Sequence, residues 1–396
     1  MSDRSSQFFP PQLNPLFTRL CQSISYPAAC LAYQLELAIA PEDVAKLKEI
    51  ESERIVYLPN HPTLDDGVVM FLLSARIGQL FNYIIAQEAF QGWIGKFLQT
   101  IGAYSIRRGV GDRSSIVQTL KLLQQPATHL VIFPEGGCSY QNDTVMPFRA
   151  GAIELSFKAL AQIAKQETVP DFYLVPVSLK YRYTSPMDSA IAKTLSHLEA
   201  TLKITPLTND FYQRLRIVAE RILIDLEHHY FSGKLDTTLN WNQRIERLKE
   251  LLIDRCETKL GLTPADRLPL RERVYKIQSL LDSPLQALDI TKATREDLYQ
   301  TTVRLLNFDA IYDGYVAEYP TAERFLDTLA RLEREVYQIN YPPVKGHRKA
   351  CINIGSPVNL KDYFTQYREN REAVVQKLNQ QLQETVQKNL TQSAFD

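Results

Sequence analysis

Between residues 55 and 179, apolar runs of strand length alternate with segments of helix length, and few architectures accept that pattern. The runs fall at 55–58, 81–86, 101–109, 129–133 and 174–179. Helices are expected between them at 68–80, 92–100, 113–125 and 151–165. In the third of these, Ile116, Val117, Leu120 and Leu123 share one face. Alternation at this spacing predicts an α/β fold, a twisted mixed sheet flanked by helices. Ligands of such sheets gather beyond the strand ends, where loops are free to vary.

From about 184 to 343 the character changes. Glycine becomes rare and helical periodicity dominates, as in Phe325, Leu329, Leu332, Val336 and Ile339. Segments 242–256 and 265–281 read similarly, so five or so helices are expected, with solvated charged faces. The sheet pattern returns at 349–355, is stopped by Pro357, and is followed by a Gln-rich amphipathic helix over 360–390. The chain therefore divides into an N-terminal arm with possible membrane-interface helices (1–40), an α/β domain (41–183), a large all-α insertion (184–343), and the last strand and helix of the α/β domain (344–396). Within the arm, residues 16–40 read as a helix pair bent at Pro27. They are apolar, with no charge between Arg19 and Glu36.

The 396 residues are more than one core usually serves. Lys+Arg and Asp+Glu both number 45, which speaks against a nucleic-acid partner. Five scattered cysteines show neither a disulfide framework nor metal spacing, so a reducing compartment and no metal are expected. Adjacent His228 and His229 point to different helix faces and are not read as ligands. No signal peptide or spanning helix is expected.

Chemistry-bearing residues collect at the predicted strand ends. His61 follows the first run, and Asp66 lies five positions on. If the chain turns into a helix there, Asp66 folds back and accepts a hydrogen bond from one imidazole nitrogen, leaving the other as a general base. Taken alone, the pair is equally a chance spacing or a histidine capping the next helix. Arg107 and Arg108 close the third run; two neighbours on a strand point oppositely, so one of them is expected to serve an anion. Glu135 and Gly136 form a turn after 129–133, and Arg149 follows. Backbone N–H groups near Gly136 and Gly137, or near His61, are candidates to hold an oxyanion.

In this order the blocks resemble the glycerolipid acyltransferase superfamily, which includes lysophosphatidic acid and glycerol-3-phosphate acyltransferases. Asn60-His61 through Asp66 fits the first motif and Gly102 through Gly109 the second. Phe133-Pro134-Glu135-Gly136 fits the third and Val175-Pro176-Val177 the fourth. The resemblance covers about 40–183 and 348–362. It implies His61 and Asp66 as catalytic residues, and Arg107 or Arg108 with Glu135, Gly136 and Arg149 in substrate binding. It implies an acyl thioester of acyl-carrier protein or coenzyme A as co-substrate, with no other cofactor. The acceptor would be a lysophospholipid such as 1-acyl-glycerol-3-phosphate, met at a membrane surface by a cytoplasmic, peripheral protein. The third motif commonly continues Gly-Thr-Arg-Ser, whereas this chain reads Gly136-Gly137-Cys138-Ser139. That departure keeps glycerol-3-phosphate, an amino-lipid or a glycolipid open as acceptor. A non-catalytic lipid-binding or scaffolding protein on the same fold is the reading of another class.

Overall fold

The computed structural model describes residues 7–166, 168–231, 238–264, 268–282, 290–309 and 311–392. The chain forms two compact units. One contains 8–107, 111–184 and 347–396; the other contains 7, 108–110 and 185–346.

The first unit is built on α1 (Pro15–Tyr33), β1 (Leu35–Ile39), α2 (Pro41–Glu49), β2 (Arg54–Pro59), α3 (Asp66–Ile77), β3 (Phe81–Ala86), α4 (Gly92–Thr100), β4 (Ala103–Ile106), α5 (Arg113–Leu123), β5 (His129–Val131), α6 (Gly151–Ile163) and β6 (Phe172–Tyr183). The second unit holds α7 (Asp188–Leu202), α8 (Phe211–Tyr230), α9 (Trp241–Lys259), α10 (Leu270–Leu281), α11 (Lys292–Phe308), α12 (Tyr315–Glu318) and α13 (Ala322–Tyr337). The chain then returns to the first unit with β7 (Arg348–Ile354), β8 (Val358–Asn359), α14 (Phe364–Glu369) and α15 (Arg371–Thr391).

The eight-stranded sheet runs β1-β7-β6-β2-β5-β3-β4, with β8 also on β6. It is parallel except where β6 meets β7 and β8. The mixed α/β fold is the one the alternation predicts. Both faces are covered, so the central strand is apolar on both sides. On β2, Val56 and Leu58 enter a core with Phe157, Leu378 and Leu382, while Ile55 and Tyr57 enter the opposite core with Leu47, Val69 and Leu73.

Several expectations are corrected. Residues 16–40 are one helix and an edge strand, not a helix pair. Pro27 lies inside α1, and the chain turns at Gln34 in a left-handed conformation (φ 49°) to enter β1. On α5 the buried residues are Ser115, Thr119, Leu122 and Leu123, while Ile116 and Val117 are exposed. The Thr119 hydroxyl turns inward because it finds partners: Oγ1 bonds the Ser115 carbonyl and pairs with the buried Tyr104 hydroxyl. The C-terminal segment is interrupted at Asn370, whose extended backbone and side-chain cap start α15 afresh.

In the helical unit, Phe325, Leu329 and Leu332 are buried, but Val336 is half-buried and Ile339 lies beyond α13. The expected helix over 265–281 is α10, and 265–267 lie outside the described residues, as do residues 1–6 of the arm. The charged faces are not simply solvated. Arg214 is buried and forks onto Glu199 at 2.8 and 2.7 Å, and Arg273 forks onto Glu257 at 2.9 and 2.7 Å. Removing one partner of such a pair leaves a buried charge uncompensated.

His129 sits buried in β5. Its Nε2–H donates to the Glu51 carbonyl (2.9 Å), so Nδ1 is bare and accepts from the Tyr57 hydroxyl (3.0 Å). Burial pushes its pKa below the ordinary 6.5, so the folded protein keeps the ring neutral. The unfolded chain takes up a proton as pH falls through about 6.5, and the native state does so only at lower pH, so stability drops on acidification. Urea denaturation at pH 7 and pH 5.5 is expected to show a lower midpoint at the acid value. In His129→Gln, the stability at pH 7 should fall by about 1–3 kcal/mol, and the pH-dependence should flatten.

Candidate active site

The site is built where β2 ends. Asn60 extends the strand through its side chain: Oδ1 accepts from the Leu179 amide (2.7 Å) and Nδ2 donates to the Leu179 carbonyl (3.0 Å). With Asn60 fixed to β6, His61 emerges at a set place beyond the sheet. Its amide donates to Glu135 Oε1 (3.0 Å), and its carbonyl accepts from the Ser139 amide (2.7 Å). The ring stacks on Phe133, centroids 4.4 Å apart.

The chain then turns into α3, and Asp66 stands in its first turn, where the helix dipole favours an anion. Asp66 is 0% exposed. Its Oδ2 lies 2.6 Å from His61 Nδ1 and accepts from the Thr63 amide (3.0 Å). Its Oδ1 accepts from the Thr63 hydroxyl (2.9 Å) and the Tyr181 hydroxyl (2.6 Å). An ionised carboxylate only accepts, so the ring proton sits on Nδ1 and Nε2 is left as the basic nitrogen. Burial, and then the Asp66 charge, push the Tyr181 phenol well above its ordinary value, so it stays a donor. Asp65 pairs with Arg348 at 2.5 Å, and that guanidinium lies over the Tyr181 ring.

Glu135 is buried, with one oxygen engaged by the His61 amide. It braces the histidine loop. Gly136 has φ +72°, and a Cβ there would fall 2.7 Å from Arg149 Cζ. Glycine is therefore required both by the backbone and by the guanidinium lying against it. Arg149 is anchored by its amide on the Pro134 carbonyl (2.9 Å). Its charge thus sits against the turn where the resemblance expects an arginine at position 138. The Gly136 amide is engaged by the Phe133 carbonyl (3.1 Å), which takes it out of the oxyanion candidates.

The two arginines part company. β4 ends at Ile106, so both lie in the following turn and strand alternation does not govern them. Arg107 stays with the α/β unit: its amide donates to Asp112 Oδ2 (2.9 Å), and its side chain is over a third exposed. Asp112 also caps α5, which fixes the turn. Arg108 belongs with the helical unit, over the Tyr275 ring (4.4 Å) with Nη1 3.1 Å from the Tyr275 hydroxyl. β4 lies three strands from β2, about 14 Å at ordinary spacing. Arg107 and His61 share the same end of the sheet, because β2, β5, β3 and β4 are all parallel.

Sequence reasoning missed Thr63, Tyr181 and Arg348. Thr63 carries a signal, since a hydroxyl three residues before a helix-opening Asp can bond it. The other two come from β6 and β7 and have no local signature.

A buried carboxylate orienting a histidine at a parallel-sheet end is an arrangement able to do general-base chemistry. Residues 41–180 match the model of the family described as Acyltransferase. The chain is 28% identical over 148 residues to the 1-acyl-sn-glycerol-3-phosphate acyltransferase of Bacillus subtilis (strain 168), spanning 36% of this chain and 70% of that protein. Both matches support placing the α/β domain with the glycerolipid acyltransferase superfamily. The family match stops before the helical segment.

Tyr181→Phe removes one of the hydrogen bonds on Asp66 without removing the base. Acyl-transfer kcat is expected to fall roughly ten- to hundredfold, with KM little changed. Asp66→Asn should cost more, since it also loses the charge that stabilises imidazolium. Steady-state kinetics of both, with circular dichroism to check folding, make the comparison.

Proposed function

We propose that the protein transfers a fatty acyl group from an acyl-carrier-protein or coenzyme A thioester to the hydroxyl of a lysophospholipid such as 1-acyl-glycerol-3-phosphate. The observation that carries this reading is the His61–Asp66 contact of 2.6 Å inside a four-bonded buried carboxylate. His61 Nε2 takes the acceptor hydroxyl proton as the oxygen attacks the thioester carbonyl. The tetrahedral intermediate then expels thiolate, which the imidazolium protonates. Arg107 is the cation for the acceptor phosphate, and Arg149 adds positive charge at the Gly136 turn. The lipid acceptor follows the printed activity of the Bacillus subtilis relative. Cys138 in place of the family's usual arginine favours, as a second reading, an acceptor with a different head group.

The same proposal includes peripheral attachment to a membrane. No helix of the described residues is long and apolar enough to cross one. α1 is amphipathic in the reverse sense. Its buried positions are Thr18, Gln22, Ser25 and Ala29, and Gln22 Nε2 donates to Ser74 Oγ and the Gln79 carbonyl. Its outward positions are Leu16 (85% exposed), Leu20, Ile24 and Leu31 (84%). Those four share one helical face. The Phe17 ring meets Phe97 of α4 at 6.2 Å, which joins the exposed Trp93 (76%) and Ile94 to the patch. An apolar outer face over a polar inner one fits lipid better than water.

Purified protein assayed with lysophosphatidic acid and glycerol-3-phosphate, each with both donor types, tests the reaction. His61→Ala should lower turnover about a thousandfold or more while leaving the fold intact; near-native turnover would remove His61 from the mechanism. Arg107→Ala should raise KM for a phosphorylated acceptor, and an unchanged KM would leave the phosphate without this partner. In vesicle co-sedimentation, Leu20→Glu with Leu31→Glu should release the protein into the supernatant. Undiminished pelleting would clear α1 of the lipid contact.

A further inference from the structure

Outside the catalytic centre, Cys30, Glu36 and His347 come together on the α/β unit, each with one donor atom within 4.8 Å of the others. Cys30 lies in the last turn of α1, Glu36 on β1, and His347 just before β7. The left-handed turn at Gln34 folds Glu36 back beside Cys30. Pairing of β1 with β7 sets Glu36 opposite Lys349 and thereby brings in His347. The histidine's backbone is held: its carbonyl accepts from the Thr184 amide (3.0 Å), and the next amide, that of Arg348, bonds the Gln34 carbonyl (2.8 Å).

We propose that these three side chains bind a Zn2+ ion. The separations suit one: Cys30 Sγ to His347 Nε2 is 3.5 Å, and Nε2 to Glu36 Oε1 is 3.6 Å. Around tetrahedral zinc, with Zn–S of about 2.3 Å and Zn–N or Zn–O of about 2.0–2.1 Å, neighbouring donors stand about 3.4–3.6 Å apart. Thiolate, imidazole and carboxylate are all zinc ligands, and thiolate selects against Mg2+ and Ca2+. The ion would also sit at the C-terminal end of α1, where the helix dipole favours a cation and the last turn carries no basic residue. Arg348 reaches the same turn, but its charge is matched by Asp65. Three protein ligands leave a fourth position for water. Binding releases the thiol proton to solvent and ties the end of α1 to the β1–β7 edge. The site escaped the sequence reading because His347 lies 317 positions from Cys30, beyond any spacing motif.

The test uses the full chain, reduced and stripped with chelator, titrated with ZnSO4 and separately with CoCl2. One equivalent of zinc should bind and raise the thermal midpoint, and cobalt should produce a thiolate-to-metal charge-transfer band. Cys30→Ser should abolish the band and the equivalent, and Glu36→Gln and His347→Gln should each lose tight binding. Thermal midpoints of the metal-free variants verify that they are folded. Absence of uptake or of the charge-transfer band in the unmodified chain, which needs no variant, overturns the proposal. So does full uptake by Cys30→Ser, which would place the metal elsewhere.

Discussion

A carboxylate with no exposure to water must be compensated in full, and Asp66 is the point to which the surrounding structure answers. Its donors arrive from His61, Thr63 and Tyr181, that is, from the loop after β2 and from β6. Each constrains a different element. The histidine cannot rotate away without costing Oδ2 one of its two donors, and the phenol pins β6 to the start of α3. The neighbouring Asp65–Arg348 pair adds β7 to the same assembly. The cost of burying the charge is thus converted into positional accuracy for one imidazole nitrogen, which a base needs more than it needs strength.

Around that centre, backbone groups do as much as side chains. Asn60 continues a strand by its amide side chain, and Glu135 and Ser139 hold the two polar groups of the His61 peptide from the turn after β5. Such a loop is hydrogen-bonded on both sides of His61 although it lies outside the sheet. The acid of the third motif, Glu135, thereby braces the backbone that carries His61.

What could be read from the sequence was what depends on near neighbours. Strand and helix alternation gave the α/β class, and the five-residue spacing of His61 and Asp66 gave the pair, because a turn into a helix closes it locally. Partners from distant strands were invisible: Tyr181 and Arg348 are ordinary residues until β6 and β7 are aligned. Patterns also misled where polar groups found buried partners. Ile116 and Val117 marked an apolar face of α5 but lie outside, since Ser115 and Thr119 are buried and the Thr119 hydroxyl is satisfied within. In α1 the same inversion hid an edge strand beyond it, and charge-free sequence was read as more helix. Arg107 and Arg108 were separated by where the strand stops, a boundary of one residue that no periodicity defines.

The order of strands carries a consequence for how the protein comes into being. β7 lies between β1 and β6, yet residues 185–346 are made before it. A chain emerging from the ribosome through β6 already holds His61, Asp66 and Tyr181. It has two unpaired strand edges, and it lacks α15, whose Val375, Leu378, Leu382 and Val386 complete one core. Such an intermediate exposes apolar surface and main-chain donors to its neighbours. The gap in the sheet closes only when the far end of the polypeptide supplies β7 and α15.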